Sequence, residues 1–326
     1  MNKIYGNTEL LSTLRNMAQN GKSAHTVIFY GEKGSGRKTM ASFYAQLLMC
    51  ENPVGGEPCG VCSSCKNVSR NCHPDIIYPE KSGKLGRYSV DTARDVCLDA
   101  YIKPNNSTGR KVYVFTDCEN MDSRTQNTLL KIIEEPPDYA YFIFTCEDRS
   151  DFLPTIISRC VCFAVSICTE EEAKAALSER CKDKAAIDEA LTCFHGNIGM
   201  CFEYIYSEEL RKIVDLTKRM ADSIINRDEY ELAGVMYALG SQRSDIRSAL
   251  SLLDMLMRDA AVLGKDSSAK TVGCYRDGAY RLSDSITGWQ AVRIHNAIEK
   301  AWSTVEANVS VPLVMTALCA EIMSIV

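Results

Sequence analysis

The segment TVIFYGEKGSGRKT, Thr26 to Thr39, joins a short apolar run to a glycine-rich stretch. Uninterrupted β-branched and aromatic residues suit a strand buried on both faces. Such a strand leading into a glycine turn and then a helix has the layout of a phosphate-binding loop. That loop needs glycines so that backbone N–H groups can turn toward phosphates, a lysine for the outer phosphate oxygens, and a Ser or Thr hydroxyl for Mg²⁺. Gly31, Gly34 and Gly36 stand where the pattern places them. The next positions depart from it: Arg37 replaces the lysine, Lys38 replaces the hydroxyl, and Thr39 comes one residue late. A guanidinium is a wide planar fork and does not substitute freely for a compact ammonium. The loop reads as the descendant of a nucleotide site, altered enough to put ATP binding in doubt.

Outward from this segment, residues 1–166 alternate helical stretches with the strand-like runs TVIFY, DIIYP, KVYVFTD, AYFIFTC and CVCFAV. The alternation predicts an α/β domain with a parallel sheet covered by helices. In KVYVFTDCENM, Lys111 to Met121, the run ends where nucleotide hydrolases carry an Asp for the Mg²⁺ shell and then a Glu that orients the attacking water. Thr116 takes the first of these places and Asp117 the second. Two parts of one catalytic apparatus are altered together, which a decayed ATPase explains and chance glycines do not. From Thr169 the period changes to three and four, in TEEEAKAALSERC and KAAIDEALTCF, with a capping-box start at Thr169. This predicts a small helical domain over 167–206 and a helical bundle over 207–326. Within the bundle, apolar residues at 249, 252, 253, 256, 260 and 263 form one face of a long helix. The stretch Val309 to Val326 is apolar but interrupted by Pro312 and Glu321, so it reads as a buried closing helix rather than a membrane span.

The chain has 326 residues, enough for two or three domains, and a net charge of −5, which argues against a globally basic nucleic-acid binder. A local basic surface remains compatible with that balance. The opening stretch, MNKIYGNTELLSTLRNMAQNGK, reads as an amphipathic helix capped by Asn7 or Thr8, without the continuous apolar core of a signal peptide, and a cytoplasmic location is expected. Sixteen cysteines in such a chain point to reduced thiols and to metal. Cys97, Cys146, Cys162 and Cys319 lie in apolar runs as small core residues. Cys50, Cys59, Cys62 and Cys65 are different: they form C-x8-C-x2-C-x2-C, with Pro58 and Gly60 for tight turns, a spacing that can bring four thiolates to about 2.3 Å from one zinc ion. Four thiolates leave no open position, so the site, in a module over about residues 50–72, would be structural. Cys72 and His73 are rival fourth ligands to Cys50, and a redox role for the Cys-x-x-Cys pairs is the weaker alternative.

The order of altered phosphate loop, cysteine cluster, HPD (His73 to Asp75), SVDTAR (Ser89 to Arg94), QNTLLKIIEEPP (Gln126 to Pro137) and TIISRC (Thr155 to Cys160) resembles the bacterial DNA polymerase III clamp-loader subunits, and among them the delta-prime branch. NVSVPLVMTAL, Asn308 to Leu318, is similar to the last collar helix of that family, so the resemblance extends over nearly the whole chain. LLKxxEEPP with SRC is its most specific part. The resemblance implies an AAA+ fold: a RecA-like domain, a small helical lid, and a helical collar that joins gamma/tau and delta subunits into a ring. That ring opens the sliding clamp and places it on primed DNA. The resemblance also implies that Arg159, of the Ser-Arg-Cys motif, acts in trans at the ATP site of a neighbouring subunit. ATPase members of the family carry a lid arginine after a glycine; here HGNIGMC puts Gly199 in its place.

The leading expectation is therefore a non-catalytic stator without intrinsic ATPase activity. The alternative is a divergent ATP-hydrolysing subunit of the gamma/tau type, working through Arg37 or Lys38. A third reading, a zinc-dependent nucleic-acid-binding protein, rests on the basic residues of EKSGKLGRYS, Glu80 to Ser89, which otherwise form a solvated loop.

Overall fold

The computed structural model describes residues 3–83, 86–307 and 309–326. The chain divides into two compact units, Met1–Glu172 and Ala173–Val326. Lys84 and Leu85 of the Glu80–Ser89 loop, and Asn308 at the start of the C-terminal motif, lie outside the described residues.

In the first unit the elements run α1 (Thr8–Gln19), β1 (Thr26–Tyr30), α2 (Arg37–Met49), α3 (Ser63–Ser69), β2 (Ile76–Ile77), α4 (Val90–Asp99), β3 (Lys111–Phe115), α5 (Ser123–Glu134), β4 (Ala140–Cys146), α6 (Pro154–Ile157) and β5 (Val161–Ala164). The strands form one sheet in the order β2-β3-β4-β1-β5, and every pairing is parallel. Alternation along β3 explains why both faces are covered. Val112 and Val114 join the core built with Leu14 of α1 and Tyr44 and Leu48 of α2, while Tyr113 and Phe115 join the opposite core with Ala93 of α4 and Leu129 and Ile133 of α5. The Ser89 side chain caps α4 by accepting the Thr92 N–H, and Asp122 caps α5 by accepting the Thr125 N–H. The start of α1 departs from the sequence expectation. Asn7 stands at its N-cap in the left-handed region, φ 52°, and makes no side-chain cap. Its amide instead donates to the Ser166 carbonyl and accepts the Ser166 N–H, tying the segment before α1 to the segment after β5.

The second unit is helical: α8 (Lys184–Phe194), α9 (Ile198–Tyr206), α10 (Glu208–Asn226), α11 (Glu229–Ala238), α12 (Arg243–Leu263), α13 (Arg276–Ser285), α14 (Gly288–Glu306) and α15 (Val311–Ile325). Before them, α7 (Glu170–Ser178) crosses the boundary between the units and starts with the expected capping box, the Thr169 hydroxyl accepting the Glu172 N–H and the Glu172 carboxylate accepting the Thr169 N–H. All six apolar positions of the long-helix face, from Ala249 to Leu263 on α12, are buried. Helix α15 is buried along one side only: Val314, Leu318 and Ile322 are inside, while Leu313 is 65% exposed. Cys146 and Cys319 are core residues as expected, but Cys97 and Cys162 are only partly buried. No helix among the described residues is long and apolar enough to cross a membrane.

One charged group interrupts the apolar face of α12. Asp259 is 1% exposed, and its carboxylate accepts the N–H groups of Val272, at 2.9 and 3.1 Å, and of Gly273, at 2.7 Å, with Arg258 at 2.8 Å. It anchors the connection between α12 and α13, accepting the part-buried Val272 N–H and the buried Gly273 N–H, which would otherwise lack an acceptor. Hydrogen bonds to a charged group contribute about 1.5–3 kcal/mol, so Asp259→Ala is expected to lower stability by roughly 2–3 kcal/mol in urea unfolding, and Asp259→Asn, which keeps one acceptor, by less.

Candidate functional site

The glycine-rich loop leaves the end of β1, a central strand. The Gly31 N–H is held by the carbonyls of Cys146 and Glu147 at the end of β4, and a Cβ at Gly31 would stand 2.2 Å from the Val165 carbonyl beyond β5. Glycine is therefore required where the chain turns off the sheet. Gly36, at φ 101°, opens α2 without a side-chain cap, so the first-turn N–H groups of that helix stay available, as in an anion-binding loop.

The altered positions have definite partners. Lys38 Nζ lies 2.6 Å from Asp117 Oδ2, and Lys81 Nζ lies 3.4 Å from the same oxygen. The two residues that the sequence reading puts in the places of the Mg²⁺ hydroxyl and the water-orienting glutamate thus form an ion pair with each other. Burial acts to raise the Asp117 carboxyl, but the hydrogen bond from Lys38 and the charges of Lys38 and Lys81 outweigh it and hold the group below its usual range. Asp117 sits in the left-handed region, φ 52°, with its N–H bonded to Thr145 Oγ1. Thr116 is fixed through its backbone: its N–H donates to the Tyr88 hydroxyl, which donates back to its carbonyl. Thr39 is exposed. Arg37 is 5% exposed, with no partner for Nη1; Ser35, 8% exposed, has none for Oγ. Glu119 lies in the electrostatic reach of Arg37, and burial pushes its carboxyl up.

Arg159 follows α6. Its guanidinium donates to the Thr155 carbonyl at 2.9 Å and to Glu134 Oε1 at 3.0 Å, and a third of its side chain is exposed. Glu134 ends α5 within the QNTLLKIIEEPP motif. Gln126 of that motif donates to the Met121 and Asp151 carbonyls and accepts the Leu153 N–H, which fixes the turn leading into α6. Neither Glu134 nor Lys81 stood out as a partner in the sequence; the signal for Glu134 was its place in a motif shared with the Ser-Arg-Cys turn. In the helical unit Gly199 lies in the first turn of α9, which Asn197 caps by accepting the Met200 N–H.

The cysteine cluster lies at the far end of α2. Cys50 is the C-cap of α2 and Cys62 the N-cap of α3, and the four sulfurs of Cys50, Cys59, Cys62 and Cys65 all lie within 4.8 Å of one another. A tetrahedral zinc site with bonds of about 2.3 Å requires sulfurs roughly 3.8 Å apart, so the set fits. Backbone donors support the charge: the N–H of Cys59 reaches Cys50 Sγ at 3.2 Å, that of Cys62 reaches Cys59 Sγ at 3.4 Å, and that of Cys65 reaches Cys62 Sγ at 3.3 Å. N–H groups of Val61 and Cys62 bring the Cys59 thiol down to about 6, whereas burial pushes Cys50 and Cys65 up. A divalent cation would ionise all four. The rival ligands are turned to other partners. The exposed Cys72 thiol lies against the Asn67 carbonyl, and buried His73 accepts the Asp75 N–H through Nδ1 with Nε2 3.4 Å from Ser64 Oγ. The cluster can hold a metal ion such as zinc.

Elemental analysis of variant chains checks the ligand set. Cys50→Ser and Cys59→Ser are expected to abolish stoichiometric zinc and to cost several kcal/mol of stability, because a structural zinc site contributes on the order of ten. Cys72→Ser is expected to keep both zinc and stability.

Comparison with known proteins places these features in a family. The family model described as DNA polymerase III, delta subunit matches residues 6–188. The chain is 34% identical over 140 residues to DNA polymerase III subunit delta' of Pseudomonas aeruginosa, covering 42% of each chain. It is 32% identical over 182 residues to the delta' subunit of Haemophilus influenzae, covering 55% of this chain and 53% of that one. It is also 30% identical over 169 residues to subunit gamma of Buchnera aphidicola, covering 52% of this chain and 46% of that one. Across the curated relatives the match spans from about a quarter to about half of their length. Among solved structures, a DNA polymerase III gamma subunit-related protein of Thermotoga maritima shares the fold, with a TM-score of 0.51 at 15% identity over 96% of this chain and 98% of that one. A parallel RecA-like sheet followed by helical segments is the AAA+ arrangement, and the chain belongs to the DNA polymerase III delta-subunit family.

Proposed function

We propose that this chain is a delta-prime-type stator of the DNA polymerase III clamp loader, which lends Arg159 to the ATP site of a neighbouring subunit and hydrolyses no ATP itself. The observation that carries the reading is the Lys38–Asp117 ion pair, which fills the place where an active loop assembles its magnesium and attacking water. Arg159 supports it from the other side of the chemistry. Its guanidinium is partly exposed and braced by Glu134 and Thr155, ready to meet phosphate charge outside its own chain. In this reading α7–α9, within 167–206, serve as the lid, and α10–α15, within 207–326, form the collar that joins gamma/tau and delta subunits. The assembly then acts in the cytoplasm on the sliding clamp and primed DNA. The cysteine module holds a structural zinc ion.

A second reading, an ATP-hydrolysing subunit of the gamma/tau type, draws on the similarity to gamma and tau proteins at 30–31% identity. It predicts Mg²⁺-dependent turnover by the isolated chain that is lost when Lys38 is changed. Reading Glu80–Ser89 as a nucleic-acid contact has less support, since Lys81 is committed to Asp117.

ATP turnover decides between them. The purified chain is expected to show none, and the reconstituted loader with Arg159→Ala is expected to lose roughly 10³-fold or more of the rate at the site that Arg159 serves. Glu134→Gln removes only a partly exposed ion pair worth about 0–1 kcal/mol, so it should change that rate at most roughly fivefold. Turnover by the isolated chain, or full activity with Arg159→Ala, would overturn the stator assignment.

A further inference from the structure

We propose that the Lys38 ammonium stands in for the divalent cation of a nucleotide site, so that this loop binds a metal-free polyphosphate, such as a nucleoside diphosphate or triphosphate, rather than a metal–nucleotide complex. The inference rests on the reading of the loop as an altered phosphate loop and adds the form of its ligand.

The charges converge on one place. Asp117 supplies a single carboxylate, and two ammonium groups already share it, Lys38 at 2.6 Å and Lys81 at 3.4 Å. The triad carries a net positive charge, and the same loop buries the Arg37 guanidinium within electrostatic reach of Glu119. Among the acidic groups around Arg37, Glu119 has its carboxyl pushed up by burial, with Glu147 and Asp117 adding to the rise. A magnesium ion arriving here would have to displace Lys38 from Asp117 and then sit close to the Lys38 and Lys81 ammonium groups, and no hydroxyl directly follows Arg37 to complete its shell. An anion meets the opposite situation: its charge is balanced by groups already fixed in the fold.

Two further observations point to a ligand. Arg37 and Ser35 are each more than nine-tenths buried at the loop, yet Arg37 Nη1 and Ser35 Oγ have no hydrogen-bond partner. Ser35 Oγ lies inside the turn, 3.2 Å from where a Cβ of Gly31 would be. Buried donors without acceptors are costly to maintain and are usually satisfied by something that binds. The start of α2, a helix of 13 residues that follows this turn directly, has no side-chain cap on its first N–H groups.

Calorimetric titration of the full-length chain with ADP, ATP and inorganic pyrophosphate tests the proposal. Magnesium is removed by passing the buffer over a chelating resin, since EDTA would also strip the cysteine cluster. Saturable binding with one site per chain is expected without magnesium, and excess Mg²⁺ should weaken it at least tenfold by masking the phosphates. Pyrophosphate binding with the same magnesium response would place recognition in the polyphosphate; binding of nucleotides alone would add a base contact within the same proposal. In Lys38→Thr the sign should reverse, with weaker binding in the absence of magnesium and stronger binding in its presence; thermal unfolding confirms that the variant is folded. Absence of binding without magnesium, or wild-type binding that requires magnesium, overturns the inference whatever the variant does. Either result leaves Arg159 untouched, and the reconstituted-loader assay judges that role separately.

Discussion

Strand β1 is hydrogen-bonded on both edges, to β4 through Thr26–Tyr30 and to β5 through Val27–Tyr30, and the rest of the first unit depends on that double pairing. It fixes where the chain leaves the sheet, because the Gly31 N–H is captured by the carbonyls ending β4 while Val165 closes against Gly31 from the other side. The loop then has one path into α2. That path brings Lys38 over the end of β3, where Asp117 projects from a backbone held by Tyr88 and Thr145. The chemistry at the site is thus set by strand order before any ligand is considered.

Helix α2 extends the same constraint in the other direction. Its 13 residues make a rod of about 20 Å with the glycine loop at one end and Cys50 at the other. From Cys50 the chain folds back through Cys59 and Cys62 into α3, where Glu51 accepts hydrogen bonds from both Ser63 and Ser64. The cysteine module and the glycine loop share no residues, yet each fixes one end of a single rigid element.

The sequence was most legible where the governing contacts are local. Five strands announced themselves as apolar runs bounded by polar residues, and the cysteines of one short stretch announced a metal site by their spacing, with Cys72 and His73 left as rivals to Cys50 until the four sulfurs were seen together. The face of α12 was readable from period alone. What stayed hidden are pairs that only tertiary packing creates. Nothing near Lys38 names Asp117 as its partner, nothing near Arg159 names Glu134, and Lys81 looked like a free surface charge. Asp259 sits in an apolar helix as an apparent exception until the Val272 and Gly273 donors are seen to need it. Asn7 looked like a helix cap because Asn commonly is one, but the Ser166 backbone offered it two hydrogen bonds instead of one.

The strand order also imposes a sequence of events during synthesis. β1 is the first strand made, but its two neighbours, β4 and β5, are the last. Throughout the intervening translation its apolar run has two unpaired edges, a state prone to pairing with other chains. Elongation at about 5–20 residues per second makes that exposure last several seconds or longer. The cysteine module closes over a short loop and can form early, whereas the sheet is incomplete until Ala164 has emerged and β5 is in place. A chain stalled before that point would carry a folded cysteine module beside an open sheet, and its quality control would be a matter of timing rather than of stability.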